Sequence, residues 1–446
     1  MPKRFVSYTN SISTNGKGSM LRRPLLFYPS VLITVLLFAG FVFPQALFAK
    51  EKAANEHWVG TWSTSPVEVG EAFEGQTLRQ IVRISIGGDR VRVRLSNRFG
   101  TAPLVIDAAS IGIQDLGATV LPGSLRGLTF GGESSIAIAA GAKVLSDPVQ
   151  LTVADEADLA VSLYIAENNT GGSTMHTSAW QTSYISPLGD FTGDEVMLEE
   201  DTTTSWFWLT GVDVWAHRNT FAVATLGDSI TEGCCLPEFV DANVRYPDEL
   251  ARLLLDRYRG KPRAAVLNSG ISGNRVLNDL FGPNAQGRLD PDVLTQSGVT
   301  HVILLEGVND LGLGAADLGG FVLGPVVDAD EIIAGYKQII ERAHTAGLKI
   351  LMGTILPFKG FPLPGYWTPE NEDKRQAVNE WIRTSDLHDG VVDFDEAIRD
   401  PNDPERMLAV YDGGDGLHPS AAGYQRMAEE AKKALFGRGK RHIKHR

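Results

Sequence analysis

The stretch that decides the fold is Val223-Ala-Thr-Leu-Gly-Asp-Ser-Ile-Thr-Glu-Gly233. An apolar run, Phe221–Leu226, ends abruptly at Gly227-Asp-Ser229, which predicts a buried strand followed by a tight turn. In an open α/β sheet, ligands bind at the edge formed by the carboxyl ends of the strands. Ser229 therefore stands where a nucleophile could meet a substrate, although a serine needs a nearby base and an orienting group to act as one.

Downstream of this stretch, apolar strands alternate with amphipathic helices. The predicted strands are Phe221–Leu226, Ala264–Leu267, His301–Leu305, Lys349–Ile355 and Val391–Phe394. The predicted helices are Pro247–Arg259, Asp330–Ala346, Asn371–Thr384 and Ala421–Phe436. This alternation predicts a parallel sheet with helices on both faces, and five strands suit a flavodoxin-like order.

Residues 56–219 have a different pattern, with many short strands and almost no helical periodicity. Thr77–Ile86 and Arg90–Leu95 alternate polar and apolar residues, and Gly87-Gly-Asp89 between them predicts a hairpin with one buried and one exposed face. The other predicted strands are Leu104–Ile113, Ser135–Ile138, Val149–Val153, Asp158–Ile165, Thr182–Ile185 and Ser205–Val214. The spacing predicts an antiparallel β-sandwich of jelly-roll type.

Five polar or aromatic residues of the sandwich region are candidate ligand contacts. Trp62, Trp180, Trp206 and Trp208 could stack on a sugar ring, but most tryptophans of this kind lie in a core or an interface. His176 lies in a polar, loop-like stretch, and we expect a surface or structural histidine there.

The length and charge of the chain agree with this division. A chain of 446 residues exceeds one ordinary domain, so we expect a β-sandwich accessory domain at 56–219 and an α/β domain at 220–437. Residues 438–446 form a basic tail. The net charge of −13 argues against a nucleic-acid partner.

The first 49 residues have the pattern of an export signal. Basic residues precede the apolar stretch Leu25–Phe43, and Ala49 stands just before charged residues. This order is typical of a secretory signal peptide, so we expect cleavage after Ala49 and a secreted or periplasmic protein. The alternative is a retained N-terminal membrane anchor, because the apolar run is nearly long enough to span a bilayer.

The two cysteines of the chain, Cys234 and Cys235, are adjacent. Neighbouring cysteines bridge only with strain, so we expect two small, partly buried side chains and no disulfide framework. They lie five and six residues after Ser229, and a role in the site is the alternative.

Four segments at predicted strand ends carry polar residues that a fold does not require. They are Gly227–Ser229, Asn268–Asn274, Gly307–Asp310 and Asp412–Pro419. Ester hydrolysis by a serine needs a base, a carboxylate that holds the base, and donors for the developing oxyanion.

The segments supply each of these groups. His418 is the candidate base, and Asp415, three residues earlier, is its candidate orienter. Backbone N–H groups around Gly273 and the amide of Asn309 are candidate oxyanion donors.

Together the four segments resemble the sequence blocks of the SGNH (GDSL) hydrolase superfamily, over roughly Phe221–Gly437. The resemblance implies a flavodoxin-like α/β/α domain and acyl-ester hydrolysis without a metal or a cofactor. It also implies the roles of the site residues: nucleophile Ser229, base His418, orienting carboxylate Asp415, and an oxyanion hole of Ser229 N–H, Gly273 N–H and the Asn309 amide. Asp412 is a competing carboxylate, but its spacing does not fit the block.

Longer stretches are similar to a secreted bacterial subfamily of arylesterases and acylhydrolases associated with xylan-degrading gene clusters. They are Val59–Trp62, Val240–Asp248 and Leu305–Asp310. The likeness favours small acyl groups, such as acetyl on plant polysaccharide, as the substrate. An acyltransferase with the same triad, or a glycan-binding protein with a vestigial hydrolase domain, is the alternative.

The loops Asp310–Asp328 and Pro357–Pro369 follow strand ends and are candidate pocket walls. The apolar second loop would equally suit a lipid or aryl ester. The oligomeric state is not specified by the sequence.

Overall fold

The structure, a computed structural model, describes residues 55–167, 172–257, 263–316, 319 and 323–437. The predicted signal segment and the basic tail lie outside the described residues. From Asn55 onward the described residues belong to one compact unit. None of the described helices combines the length and apolar character that a membrane span requires.

The first part of this unit consists of antiparallel strands. They are β1 (Glu56–Ser63), β2 (Glu68–Gly70), β3 (Gln76–Arg83), β4 (Gly88–Ser96), β5 (Leu104–Ile106), β6 (Ala108–Ile113), β7 (Arg126–Gly127), β8 (Ile136–Ile138), β9 (Lys143–Leu145), β10 (Val149–Val153), β11 (Asp158–Ile165), β12 (Ser173–His176), β13 (Ser183–Leu188), β14 (Asp201–Thr203), β15 (Trp206–Phe207) and β16 (Leu209–His217). One large sheet has the order β1-β16-β4-β10, with β9 on β4, and the other has the order β14-β13-β3-β11-β6-β7. Apolar side chains from both large sheets share one core, which confirms the antiparallel architecture predicted for this region.

The hairpin predicted around Gly87-Gly-Asp89 was wrong. Strands β3 and β4 lie in different sheets. The connection between them binds β1 instead: Ser85 N–H donates to Thr61 O at 2.9 Å, and Ile86 N–H donates to Thr61 Oγ1 at 2.8 Å. These bonds to β1 hold the connection where the chain passes from one large sheet to the other. The glycine-rich stretch therefore marks a change of direction, but not a hairpin.

The prediction that one face of β3 is exposed was also wrong. Arg79 is fully buried, and its guanidinium donates to Asp194 O at 2.7 Å and to Ala118 O at 2.5 Å. The segments that contain these carbonyls cover the face of the sheet that alternation had assigned to solvent. A buried arginine that donates to backbone carbonyls is paired, so the strand tolerates it.

Two predicted strands are each divided in the structure. The segment Leu104–Ile113 forms β5 and β6, which pair in different sheets. The segment Ser205–Val214 is interrupted at Trp208, where φ is +56°, a conformation that does not continue a strand.

Three of the candidate sugar-stacking residues are core residues. Trp62, Trp206 and Trp208 are buried, and the rings of Trp62 and Trp206 meet edge to face at 4.8 Å. A buried ring offers no face to a glycan, so the sugar-platform interpretation fails for these three.

The second part of the unit is the α/β domain. Its sheet contains β17 (Phe221–Gly227), β18 (Ala264–Gly270), β19 (Val299–Leu305), β20 (Lys349–Gly353) and β21 (Gly390–Val392). These strands are parallel and have the order β18-β17-β19-β20-β21. This is the flavodoxin-like order 2-1-3-4-5, so the predicted fold of this part is confirmed. A short pair, β22 (Arg399–Asp400) and β23 (Asp403–Met407), follows the sheet.

The α-helices of this part are α1 (Ser229–Glu232), α2 (Tyr246–Arg257), α3 (Ala285–Leu289), α4 (Val308–Ala315), α5 (Ala329–Thr345), α6 (Pro369–Thr384), α7 (Phe394–Ile398) and α8 (Ala421–Phe436). Local sequence explains where the long ones begin. Asp328 and Glu331 form a capping box at α5, and Thr368 and Ser420 cap α6 and α8. Two predictions need correction: Asp310, assigned to a loop, lies within α4, and Phe394, assigned to a strand, begins α7.

Residues of the antiparallel part contact the α/β part beside strand β18. Gly60 N–H donates to Ser297 O at 2.8 Å, and Arg94 Nη1 donates to Thr295 O at 3.0 Å. A side chain at Gly60 would press against Leu267 of β18. The two parts are therefore in direct contact beside β18.

Candidate active site

Ser229 is the first residue of a helix that follows strand β17 directly. Strand β17 ends at Gly227, and α1 begins at Ser229. The side chain of Asp228 caps the helix by accepting a hydrogen bond from Ile230 N–H at 2.9 Å. A side chain at Gly227 would overlap Thr231, so this turn requires glycine. The sharp change from strand to helix brings Ser229 to the carboxyl edge of the sheet.

The structure brings Ser229, His418 and Asp415 together in one hydrogen-bonded line. The Ser229 Oγ to His418 Nε2 distance is 3.0 Å, and the His418 Nδ1 to Asp415 Oδ2 distance is 2.6 Å. A carboxylate only accepts, so Nδ1 carries the proton and Nε2 is free to accept from the serine hydroxyl. This is the tautomer in which an imidazole can take a proton from serine.

Asp415 is held as an ionised acceptor. Its Oδ1 atom accepts hydrogen bonds from the N–H groups of Leu417 at 2.9 Å and His418 at 2.8 Å. Burial by itself would raise the pKa of Asp415, but the hydrogen bonds from the His418 ring and from the two backbone groups outweigh it. The pKa therefore lies below its ordinary value.

The competing carboxylate accepts its described hydrogen bonds from its own loop. Asp412 Oδ1 accepts from the backbone N–H groups of Gly414 at 2.7 Å and Gly416 at 3.0 Å. Asp412 therefore shapes the loop that carries Asp415 and His418.

The candidate oxyanion donors Gly273 and Asn309 belong to adjacent segments. Gly273 has φ +72°, and a side chain there would overlap the Phe281 ring, so the position requires glycine. Asn309 Nδ2 donates to Asn274 O at 3.0 Å, and its Oδ1 accepts from Tyr366 OH at 2.8 Å. These two bonds determine the orientation of the amide and leave one of its two N–H groups for another acceptor.

Arg288 joins two of the strand-end segments beneath the site. It is fully buried and donates to Gly227 O at 2.8 Å, to Ser269 O at 2.6 Å and to Asn274 Oδ1 at 2.8 Å. Its Nη1 also lies 3.3 Å from Ser65 Oγ of the antiparallel part. One guanidinium therefore holds the segment before Ser229 and the segment that contains Gly273 in register.

Three buried carboxyl groups near the strand ends have raised pKa values. Burial raises the pKa of Asp228 to about 7 and that of Asp310 to about 6, against the backbone hydrogen bonds that each accepts. Burial raises the pKa of Glu306 well above its usual range, with the charge of Asp228 adding to the effect. Glu306 lies 3.7 Å from Arg288. Asp228 and Asp310 accept hydrogen bonds from backbone N–H groups of the strand-end segments. No described hydrogen bond joins any of the three carboxyl groups to Ser229 Oγ.

The cysteine pair lies beside the histidine and forms a disulfide, which corrects the expectation of two unlinked side chains. Cys235 Sγ is 3.6 Å from His418 Nε2, so the pair borders the site. Within the described ranges, the His, Cys and acidic side chains close enough to share a metal ion are Cys234, Cys235 and His418. Thiolates are the metal ligands that cysteine offers, and a disulfide offers none.

The apolar loop Pro357–Pro369 borders His418 from another side. The ring of Phe361 meets the imidazole edge to face at 6.2 Å, and it packs on Tyr366 at 4.8 Å. The other predicted wall, Asp310–Asp328, is helical at its start and lies partly outside the described residues.

Three candidate support residues, Glu232, Arg288 and Tyr366, were not singled out from the sequence. His176 was singled out, with a surface or structural role expected, and it is buried. Glu232 and Tyr366 lie in stretches where other residues were predicted to form the site. Arg288 lies in a five-residue helix for which no functional residue was predicted. No local spacing links these positions, so only the folded chain reveals their contacts.

A flavodoxin-like sheet with hydrogen-bonded Ser, His and Asp side chains at its carboxyl edge is the arrangement of a serine hydrolase. Residues 225–426 match the model of the GDSL-like lipase/acylhydrolase family. This part of the chain is therefore a GDSL-like lipase/acylhydrolase domain, and the match supports carboxylic ester hydrolysis as its activity.

Solved structures of such enzymes resemble the α/β part. A catalytic mutant of an acetylxylan esterase from Geobacillus stearothermophilus is 22% identical, with a TM-score of 0.37, and the match covers 47% of this chain and 92% of that one. A carbohydrate acetylesterase from Sinorhizobium meliloti is 18% identical, with a TM-score of 0.35, covering 48% and 97%. A GDSL-like lipase from Bacteroides thetaiotaomicron is 18% identical, with a TM-score of 0.35, covering 48% and 86%. Likeness at this level carries no conclusion about the substrate. A comparison with curated proteins finds no match.

Proposed function

We propose that this protein is an exported serine esterase that hydrolyses short-chain acyl esters, acetyl esters of polysaccharide in particular, through Ser229, His418 and Asp415. The observation that carries the proposal is the hydrogen-bonded line from Asp415 Oδ2 through the His418 ring to Ser229 Oγ, with distances of 2.6 Å and 3.0 Å. The export pattern of the first 49 residues supports a secreted or periplasmic location. The likeness to a secreted xylan-cluster subfamily supports the substrate class.

In the first half of the reaction, Ser229 Oγ attacks the ester carbonyl carbon while its proton passes to His418 Nε2. The carbonyl oxygen becomes an oxyanion, which Ser229 N–H, Gly273 N–H and the free N–H of the Asn309 amide stabilise. The tetrahedral intermediate then collapses, the bond to the alcohol oxygen breaks, and His418 returns its proton to that oxygen. The products are the free alcohol and an acyl group on Ser229.

In the second half, water takes the place of the alcohol. His418 Nε2 accepts a proton from water as the water oxygen attacks the acyl carbon. The intermediate collapses, the bond to Ser229 Oγ breaks, and His418 returns the proton to Oγ. The products are the carboxylic acid and the free enzyme. Throughout, Asp415 holds the ring in the correct tautomer and stabilises the imidazolium that forms twice.

The test is acid release from a panel of esters, with Ser229→Ala as the control. The panel contains acetylated xylan and other acetylated polysaccharides, aryl acetates, and long-chain lipid esters. We expect the wild-type protein to release acetate from the polysaccharides and aryl acetates, and Ser229→Ala to lose on the order of 10⁴-fold or more in kcat while its Tm is unchanged. A Ser229→Ala variant with near-wild-type turnover would contradict the proposal.

Two further outcomes distinguish the alternatives. Transfer of the acyl group to an added sugar, in preference to water, would identify an acyltransferase with the same residues. Tight glycan binding that survives Ser229→Ala, without any ester cleavage by the wild-type protein, would identify a binding protein instead.

A further inference from the structure

A chain of polar contacts connects the antiparallel part with the two segments that carry Ser229 and Gly273. It begins at His176, the last residue of β12, which is buried and stacks on the Trp206 ring at 5.6 Å. His176 Nδ1 lies 2.7 Å from Ser65 O. A carbonyl oxygen only accepts, so Nδ1 carries the proton and Nε2 presents its lone pair elsewhere.

That lone pair faces Glu232, the last residue of the helix that begins at Ser229. His176 Nε2 and Glu232 Oε1 are 3.3 Å apart, and both side chains are about 3% exposed. Burial raises the pKa of Glu232 to about 8, although hydrogen bonds from Ser272 favour the ionised form. Burial lowers the pKa of His176 to about 4. At neutral pH both groups are therefore uncharged, and the carboxylic acid hydrogen can point at Nε2.

The other oxygen of Glu232 continues the chain. Glu232 Oε2 accepts a hydrogen bond from the hydroxyl of Ser272, and Ser272 is the residue before Gly273. A second bond joins the same segments, because Asn268 Nδ2 donates to Thr231 O at 2.9 Å. The end of the nucleophile helix is therefore tied to the glycine segment at two points, one of which continues into the antiparallel part.

Simple attachment of one part to the other does not explain these groups. A small cavity of about 40 Å³ lies where His176, Glu232 and Arg245 meet, and apolar side chains would fill this space at lower cost than a buried acid and imidazole. Attachment is already provided beside Ser297, where a backbone hydrogen bond and Arg94 join the two parts.

We propose that His176, through Glu232 and Ser272, positions the Gly273 N–H relative to Ser229, so that the antiparallel part contributes to the stability of the oxyanion. The inference rests on the proposed esterase function. His176 and Glu232 act here as positioning residues: a neutral carboxylic acid donates to the imidazole and accepts from the serine hydroxyl, which keeps the helix and the glycine segment at one separation.

The test compares two serines that each hydrogen-bond a carboxyl group near the contact between the parts. Ser272→Ala cuts the proposed chain, whereas Ser297→Ala removes a bond of 2.8 Å to Asp213 away from the glycine segment. With an aryl acetate as the substrate, we expect Ser272→Ala to lower kcat about 10-fold or more with KM within about two-fold. Ser297→Ala should keep its kcat within about two-fold of wild type.

Glu232 provides the conservative variant. The amide of Glu232→Gln can donate to His176 Nε2 and accept from Ser272, so it should recover most of the kcat that Glu232→Leu loses. If the residue acted through a negative charge, Glu232→Gln would be as impaired as Glu232→Leu, and the inference would be overturned. Equal kcat in Ser272→Ala and Ser297→Ala would overturn it too.

Hydrogen exchange separates this inference from the esterase assignment. In Ser272→Ala and His176→Ala, but not in Ser297→Ala, we expect faster exchange of backbone amides in the peptide 268–276, with little change in Tm. This measurement does not depend on turnover, so it tests the contacts between His176, Glu232 and Ser272 even if the wild-type protein hydrolyses no ester. Unchanged exchange in both variants would refute the positioning role.

Discussion

Replacement of Tyr366 by phenylalanine removes a single hydroxyl from the support of Asn309. Tyr366 is buried, and its OH donates to Asn309 Oδ1 at 2.8 Å. Burial raises the pKa of Tyr366 well above its usual range, so the hydroxyl remains a donor at every pH at which the enzyme would be assayed. Its ring packs on Phe358 and Phe361, and a phenylalanine ring preserves those contacts.

The size of the effect follows from what the hydroxyl does for the amide. Without it, the carbonyl of Asn309 is buried and unpaired, at a cost of about 1–3 kcal/mol that a rotation of the amide would relieve. Rotation turns the donor away from the oxyanion, and one such donor contributes about 3–4 kcal/mol in the transition state. We therefore expect Tyr366→Phe to lower kcat by about 10- to 100-fold, less than the loss of about 100- to 1,000-fold expected for Asn309→Ala.

The assay is steady-state hydrolysis of an aryl acetate, with kcat and KM measured separately. KM should change little, because the neutral carbonyl of the bound ester depends less on the donor than the oxyanion does. Tyr424→Phe is the matched control, since that buried hydroxyl has no hydrogen-bond partner among the described residues. The reasoning fails if Tyr366→Phe retains wild-type kcat. It also fails if its loss adds fully to that of Asn309→Ala, since two residues that act through one amide should not be additive.

Three other outcomes are expected. Asp415→Asn should lower kcat by about 10³- to 10⁴-fold, because an amide facing His418 Nδ1 favours the wrong tautomer, and a loss below about 10-fold would contradict the assigned orienter. The raised pKa of Glu232 should stabilise the wild-type protein fully near pH 4.5, and this stabilisation should disappear as the pH rises through about 8. Between these pH values, the Tm of wild type should fall relative to that of Glu232→Gln by the equivalent of about 1.4 kcal/mol per pH unit. Parallel Tm curves for the two proteins would contradict the raised pKa. Reduction of the disulfide should lower kcat about five-fold. A free Cys235 thiol can donate a hydrogen bond to His418 Nε2, and breaking that bond before Ser229 can use the base costs about 1 kcal/mol. If a Cys234→Ala/Cys235→Ala variant loses as much kcat on treatment with reductant, the loss has another cause.

The parallel sheet could be predicted because each of its strands is an apolar run that can be recognised from local sequence alone. Right-handed crossovers left few topologies, five strands suited the flavodoxin-like order, and the family match supports the same fold. The four polar segments were located for the same reason, since strand ends can be found from local sequence. The roles of Ser229, His418, Asp415, Gly273 and Asn309 remain predictions until variants are assayed.

The antiparallel part could be predicted only in outline. Alternation identifies a strand, but sheet membership depends on pairing with distant strands, which is why the connection at Gly87 was mistaken for a hairpin. Arg79 shows a second limit of prediction from local sequence. It lies on the polar face of its strand, but distant segments cover that face and supply the carbonyl groups to which Arg79 donates. Similarly, the bond between Cys234 and Cys235 depends on backbone geometry that the amino-acid types do not determine.

The distances between the site segments depend on side chains that belong to no motif, and Ser65 shows how these supports converge. Ser65 is fully buried in the antiparallel part. Its carbonyl accepts from His176 Nδ1 at 2.7 Å, and its hydroxyl lies 3.3 Å from Arg288 Nη1. Through His176 it reaches the end of the helix that begins at Ser229, and through Arg288 it reaches the residue before Asp228 and the segment of Gly273. Without Ser65, the His176 imidazole would lose the acceptor of its Nδ1 proton, and the buried Arg288 guanidinium would lose one of its partners. The antiparallel part therefore supports the site as well as packing beside β18.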